Sequence, residues 1–409
     1  MLAGYPPVMA APTATAGNAT ASVAFTTVSG ATSYTVLSTP GSFTGTGSSS
    51  PITVSGLSNG TAYTFQISAT NSAGTGAYSA ASNSVSPVAP QYVTTGTNVA
   101  PLAVAYPWSS SGFGAKYSDP ASAPAGTPVD SRFNPAATAV AYAMGTSPYI
   151  NVYAWSPGYG SKYSNPATLP TGAGNGVDFN PAGTAIAVAH NTTPFISTYP
   201  WSSGFGTKYS NPASLPAGGG QKVMFSPNGS YIAVGQTTNP GISTYPWSAG
   251  FGTKYADPAS HTGSNTGVIF NPSSNVIATT GGNSPYIMAY PWSPGFGTKY
   301  ADPATAAPAI SKIPKFNPAG NVIAFASQQS PYINAYAFSS GFGSKYANPA
   351  TLPASAGNAV DFSATGSEIG ISHDTSPRIS AYAWSSGFGS KYANPATLPA
   401  SDAFTIDFI

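Results

Sequence analysis

The sequence predicts an all-β protein: a small β-sandwich over residues 1–90, followed by a seven-bladed β-propeller over residues 91–409. Three observations predict it. A stretch running from Tyr199-Pro-Trp-Ser through Gly-Phe-Gly to Lys208-Tyr209 recurs from Tyr106, Tyr153, Tyr199, Tyr245, Tyr290, Tyr336 and Tyr382. Its lysines (Lys116, Lys162, Lys208, Lys254, Lys299, Lys345 and Lys391) stand 46, 46, 46, 45, 46 and 46 residues apart, a period that marks stacked or ring-arranged supersecondary units. Between these stretches recurs a second, Val223-Met-Phe-Ser-Pro-Asn-Gly-Ser-Tyr-Ile-Ala-Val234, so each repeat reads as four short strands, or one blade. The third observation is composition. Charged residues make up 5% of the chain, against roughly 25% in soluble domains, while aromatics reach 12%. That mixture has apolar area for a core and a surface of hydroxyls and amides.

Composition also excludes. A formal charge of +2 gives no electrostatic case for nucleic acid or acidic membranes. Without cysteine there is no disulfide framework, thiolate metal site or thiol nucleophile. The opening Met-Leu-Ala-Gly-Tyr-Pro-Pro lacks a basic and then apolar leader, so no secretory signal is expected. No run approaches the ~18 apolar residues of a membrane span.

Within the first 90 residues, alternating apolar and polar positions predict strands over 21–27, 33–37, 51–57 and 61–69, with a closing strand over 79–85. Ser58-Asn-Gly60 is a turn signal, and Pro87-Val-Ala-Pro90 reads as a short stiff linker. Leu57-Ser-Asn-Gly-Thr-Ala-Tyr63, followed by Ala69-Thr-Asn71 and a Gly-containing loop, resembles a fibronectin type III domain. The resemblance implies that Tyr63 is the corner tyrosine whose hydroxyl bonds backbone upstream, and that the domain is a spacer or adhesion module. The family's core tryptophan is missing; Phe25 is the nearest large residue.

One blade is drawn in chain order as an inner strand over 177–179, a turn Asn180-Pro-Ala-Gly183, and a second strand over 184–189. A third follows over 195–199, then a turn over 202–206 and an outermost strand over 207–209. The Gly-Phe-Gly turns are read as hairpin chemistry, with glycines for positive φ. The chain enters at Gln91 through second, third and fourth strands over 92–95, 102–106 and 116–117. It ends with Phe404-Thr-Ile-Asp-Phe408, which matches an inner strand. One blade is therefore expected to join the two ends and leave no open sheet edge. The inner-strand phenylalanines 133, 179, 225, 270, 316, 362 and 408 count seven blades.

These blades are similar to WD-repeat propellers in Phe225-Ser-Pro-Asn-Gly229 and in a tryptophan closing the third strand. They depart from them because no Asp follows that Trp and no Gly-His opens the blade. The Tyr-Pro-Trp-Ser, Gly-Phe-Gly and Lys-Tyr order more closely resembles the propeller repeats of tailed-phage structural proteins. That resemblance implies a virion component reaching the outside by host lysis.

Candidate functional residues follow from the same repeat. Trp108, Trp155, Trp201, Trp247, Trp292 and Trp384, with Phe338 in the seventh place, either stack on sugar rings of a host glycan or fill the wedge between blades; the wedge is favoured. The seven lysines form a basic collar for an anionic partner or blunt the exposed blade edge; edge protection is favoured, with Asp119, Asp257 and Asp302 three residues downstream of their lysines. Charges at the inner-strand position before the phenylalanine (Asp407, Arg132, Asp178, Lys315 and Asp361) alternate in sign and suggest salt bridges around a tunnel. A cation held by Asp178, Asp361 and Asp407 is the weaker alternative, since calcium-loop spacing is missing. His190 and His373 end equivalent second strands and are expected to face loops; neither has an evident Ser or Cys partner. No catalytic, cofactor or metal site is assigned. The expected function is a non-enzymatic virion fibre, spike or capsid decoration with other virion proteins as partners. A multivalent glycan-binding lectin or adhesin is the alternative. Without a coiled-coil heptad, any homo-oligomer would form by domain packing.

Overall fold

The computed structural model describes residues 4–261, 263 and 265–409, so residues 1–3 of the stretch read for a secretory leader lie outside the described residues. The chain forms two compact units, Met1–Pro90 and Gln91–Ile409. Among the described residues every regular element is a β-strand, and no helix is long and apolar enough to cross a membrane.

The first unit packs a three-stranded sheet against a four-stranded one. Thr13–Ala16, Thr20–Ala24 and Ile52–Ser55 form the first; Thr44–Gly47, Ser33–Thr39, Thr64–Asn71 and Gly74–Thr75, in that order, form the second. Alternation sets the inward faces: Ala21, Val23, Ile52 and Val54 from one sheet meet Tyr34, Val36, Phe65 and Ile67 from the other in one core. Tyr63 is buried, and its hydroxyl accepts a hydrogen bond from Ser58 N at 3.1 Å. Phe25 packs at the edge of this core, its ring 4.7 Å from that of Tyr34. The closing strand expected over 79–85 does not form. Ser79 Oγ and Ser82 Oγ accept the N–H groups of Ile67 and Phe65 at 3.1 and 2.9 Å, so serine side chains stand where a ladder would place carbonyls.

The second unit contains seven antiparallel sheets among the described residues. Six begin with an inner strand: Pro128–Phe133, Gly174–Phe179, Gly220–Phe225, Asn265–Phe270, Ser311–Phe316 and Gly357–Phe362. Each inner strand contacts the next, as the blades of a propeller do. The remaining sheet takes Asp407–Phe408 beside Gln91–Gly96, and Asp407–Phe408 touches both Pro128–Phe133 and Gly357–Phe362. Tyr92 N donates to Ile409 O at 3.0 Å and Phe404 N to Gly96 O at 2.9 Å along this junction. After each inner strand the chain turns as composition requires. Gly183 N bonds Asn180 O at 2.8 Å, while Asn180 Oδ1 takes Thr184 N and Ala185 N at 2.7 and 2.8 Å.

The outermost strand departs from expectation. Where the third strand carries alanine (Ala154, Ala337, Ala383), a four-residue strand pairs with it: Tyr159–Lys162, Phe342–Lys345 and Phe388–Lys391. Where it carries Pro200, Pro246 or Pro291, the sheet has three strands and a lone bridge such as Trp201 to Phe205. With Pro107 the outer strand shrinks to Gly112–Phe113 rather than 116–117. Proline has no N–H for a ladder, and its ring fills the space beside it. The two glycines of Gly-Phe-Gly also differ from each other. Gly204 needs its φ of +147°, whereas a Cβ on Gly206 would lie 2.8 Å from the Pro200 ring, so the second glycine serves close approach.

Candidate functional site

Where the inner strands begin, five of the six carry a β-bulge four residues before the phenylalanine. Val129, Asn175, Gln221, Thr266 and Asn358 are the extra residues. In Ser311–Phe316 the irregularity falls at Ile313, next to Pro314, so Lys312 and Ile313 both take part. Bulges redirect side chains, and these converge with Lys222 and Phe404 on one cavity of about 220 Å³. Six of the seven sheets contribute strand residues to it, and Phe404 comes from the segment leading into Asp407–Phe408. The sequence reading missed this site, although the residue four before each repeat phenylalanine marks it: 129, 175, 221, 266, 312, 358 and 404.

Three residues further along the same strands lies an ionic layer. Arg132 meets Asp407 at 2.8 Å and Asp178 at 3.2 Å; Lys315 meets Asp361 at 3.1 Å. The carboxylates also accept backbone N–H groups of the next inner strand. Asp178 binds Phe225 N at 2.7 Å, Asp407 binds Phe133 N at 2.8 Å, and Asp361 binds Phe408 N at 3.1 Å. A fourth pair, Lys222 with Asp130 at 2.8 Å, was not anticipated. Burial pushes the Asp178 carboxyl up to about 6 against the pull of Arg132, and drives Asp407 upward too. The cation expected as an alternative among Asp178, Asp361 and Asp407 is displaced by Arg132 and Lys315. No metal-binding cluster occurs among the described residues.

The predicted glycan-contact residues lie elsewhere and face inward. The six tryptophans are between 3 and 7% exposed. Each meets at least three aromatic neighbours: Trp201 lies 5.4 Å from Phe179 on its inner strand, 5.1 Å from Phe205 of Gly-Phe-Gly, and 5.1 Å from Tyr163 of the preceding repeat. The same cross-repeat contact recurs around the unit, from Tyr117–Trp155 to Tyr346–Trp384, and Tyr392 meets Trp108 at 5.0 Å. The ring faces that sugar stacking requires are therefore covered, which overturns the stacking role of Trp108, Trp155, Trp201, Trp247, Trp292 and Trp384. Phe338 makes the same three contacts with Phe316, Phe342 and Tyr300.

The lysines do not form a continuous basic collar. Each is tied to the residue three positions on: Lys116, Lys254 and Lys299 to Asp119, Asp257 and Asp302, and Lys162, Lys208, Lys345 and Lys391 to Asn165, Asn211, Asn348 and Asn394. A carboxylate therefore neutralises three of the seven.

The histidines also depart from expectation. His190 and His373 are buried rather than facing loops, and each has a serine partner seven residues on: Ser197 Oγ at 3.0 Å and Ser380 Oγ at 3.1 Å. Amides do the same work at equivalent positions, Gln236 with Ser243 and Asn334 with Ser327, both at 3.0 Å. These are cross-strand ties sealed from solvent, not nucleophiles awaiting substrate. Burial lowers both histidines to about 4.

Two outcomes follow. Trp384→Ala should cost about 3–5 kcal/mol in urea unfolding. Trp384→Phe should cost about 1–2 kcal/mol, since phenylalanine already fills the position at Phe338. The histidines set an acid dependence. Their folded pKa lies below the ordinary 6.5, so the stability they protect is complete above that value and is lost as pH falls from about 6.5 to about 4. Asp178, raised, acts oppositely below about 6. The double variant His190→Gln, His373→Gln isolates the histidine share. Its stability relative to wild type should improve on acidification by up to about 3 kcal/mol per histidine. Equal pH profiles would contradict the assignment.

No protein-family model matches the chain, and no curated protein matches its sequence. Solved structures do. One described as a "putative 6-phosphogluconolactonase", from Bacteroides uniformis, is 14% identical and superposes with a TM-score of 0.59 over 78% of this chain and 99% of its own. A functionally unknown protein from Desulfotomaculum acetoxidans gives a TM-score of 0.57 at 10% identity, covering 78% and 98%. A second structure described like the first, from Bacteroides fragilis, gives 0.54 at 10% identity with the same coverage. At such identities the likeness is one of fold.

Proposed function

We propose that the chain is a non-enzymatic structural protein of a tailed-phage virion: a fibre, spike or capsid decoration that works by contact with other virion proteins or a host surface. In this reading Gln91–Ile409 is a seven-bladed propeller closed by Asp407–Phe408, and Met1–Pro90 is a fibronectin type III-like spacer or docking module. The three-plus-four arrangement of strands and the bond from Ser58 N to the Tyr63 hydroxyl support the latter. The contacts of Asp407–Phe408 with the inner strands on either side, and that of Tyr392 with Trp108, support closure.

One observation carries the functional reading. The groups that elsewhere do chemistry, namely the tryptophans, the alternating charges and the His–Ser pairs, are engaged in holding sheets to one another. What faces outward is a charge-poor surface of hydroxyls and amides, suited to broad surface contact. The lactonase description of two fold neighbours motivates a control, 6-phosphogluconolactone hydrolysis, for which no turnover is expected. Activity abolished by Asp178→Asn or Asp407→Asn would overturn the non-enzymatic reading.

A glycan-binding protein is the second reading, and the polar cavity favours it over sugar stacking at the tryptophans. Electron microscopy of purified particles with an antibody against residues 1–90 separates the two. Label on tail fibres or tip is expected for an adsorption protein, and over the capsid for a decoration protein. Label on bacterial cells and none on particles would overturn the virion reading.

A further inference from the structure

We propose that the cavity formed by the inner-strand bulges binds one monosaccharide-sized carboxylate, a hexuronate either free or at the end of an acidic polysaccharide, with Lys312 holding the carboxylate. This rests on the binding, non-catalytic reading above and is independent of virion origin.

Size comes first. A cavity of about 220 Å³ lies below the roughly 300–1,000 Å³ of drug-sized sites, so it takes one sugar and not a chain of them. Charge comes second. Two cations line it, and they differ. Lys222 is neutralised by Asp130 at 2.8 Å, and Asp130 is fixed in turn by Val177 N at 2.9 Å. Lys312 has no carboxylate within 4.0 Å among the described residues. It donates to Asn358 Oδ1 at 2.6 Å, which uses one of its three N–H bonds. Asn358 is held for this task, because its amide nitrogen donates to Asp374 Oδ1 at 2.5 Å and to Ala403 O at 2.9 Å. Asp374 thus sits behind Asn358 and tempers the positive charge without closing the ion pair. Burial lowers the Lys312 ammonium, a penalty that an incoming anion would relieve.

The rest of the lining suits a hydroxylated ring. Asn175 turns its nitrogen to Gly220 O at 2.9 Å, which leaves its oxygen as an acceptor, and the Gln221 amide is without a side-chain partner among the described residues. Val129 of Pro128–Phe133 and Phe404, which precedes Asp407–Phe408, supply an apolar wall for the C–H face of a sugar. A small inorganic anion would make no use of that wall.

Calorimetry on the full chain tests the site, using glucuronate, glucose and inorganic phosphate as probes. Glucuronate should bind once per chain, with glucose and phosphate each about tenfold weaker or more. Lys312→Met should weaken glucuronate about tenfold and leave glucose unchanged. Gln221→Ala, at a half-buried position of the lining, should weaken both sugars and provides a second reading if Lys312→Met does not fold. No glucuronate binding, equal affinity for glucose, or phosphate binding as tightly as glucuronate would overturn the proposal. Particle labelling does not bear on it: glucuronate binding by a protein missing from particles would sink the virion reading alone.

Discussion

The second unit depends on joining each sheet to the next through a cross-repeat aromatic contact. A sheet of three or four short strands cannot cover its own two faces. Each one therefore presents a tryptophan, or Phe338 in one case, backed by the inner-strand phenylalanine and the aromatic of the following turn, to a tyrosine from the repeat before it. The geometry barely varies, from 5.0 Å at Tyr392–Trp108 to 5.8 Å at Tyr300–Phe338, and every such pair is edge-on. Edge-to-face contact at this distance adds about 0.5–1.5 kcal/mol beyond burial, and seven of them act around one unit. Two further ties reinforce it. Five buried tyrosines of the third strands (Tyr106, Tyr199, Tyr245, Tyr290 and Tyr336) donate to a loop carbonyl, as Tyr199 does to Thr168 O at 2.8 Å. Inner-strand carboxylates accept the N–H groups of the next strand.

This way of joining sheets constrains what remains for function. Rings and charges that serve as mortar between repeats are unavailable to solvent. Bulges at the starts of the inner strands turn Asn, Gln, Thr and Lys toward one cavity. Residues from all seven repeats line the polar cavity. The neighbouring ionic layer repeats with more regularity.

Much of this was legible in the sequence. The 46-residue period corresponds to the recurring antiparallel sheets of the second unit, and of the terminal segment 404–408 the residues Asp407–Phe408 pair as a strand beside Gln91–Gly96. The alternating signs of Asp407, Arg132 and Asp178 correspond to real ion pairs. What stayed hidden depends on context that periodicity does not carry. Alanine and proline look alike as small apolar residues before Trp384 and Trp201, yet one allows an outer strand and the other removes its donor. The inner strand drawn over 177–179 begins at Gly174, with a bulge at Asn175. His190 and Ser197 are seven apart in sequence but face each other across adjacent strands, a register set by the turn between them. The repeat points to the tryptophans as wedge residues, but their partner tyrosines, one repeat upstream, can be found only once the sheets are placed side by side.

The central claim is that each sheet is fastened to its neighbour by the tyrosine–tryptophan contact. A double-mutant cycle at Tyr209 and Trp247, whose rings lie 5.4 Å apart, tests it most directly. Tyr209→Leu, Trp247→Leu and the double variant would be compared in urea unfolding. A coupling of about 0.5–1.5 kcal/mol is predicted. Strict additivity, with each single variant losing stability independently of the other, would contradict the account.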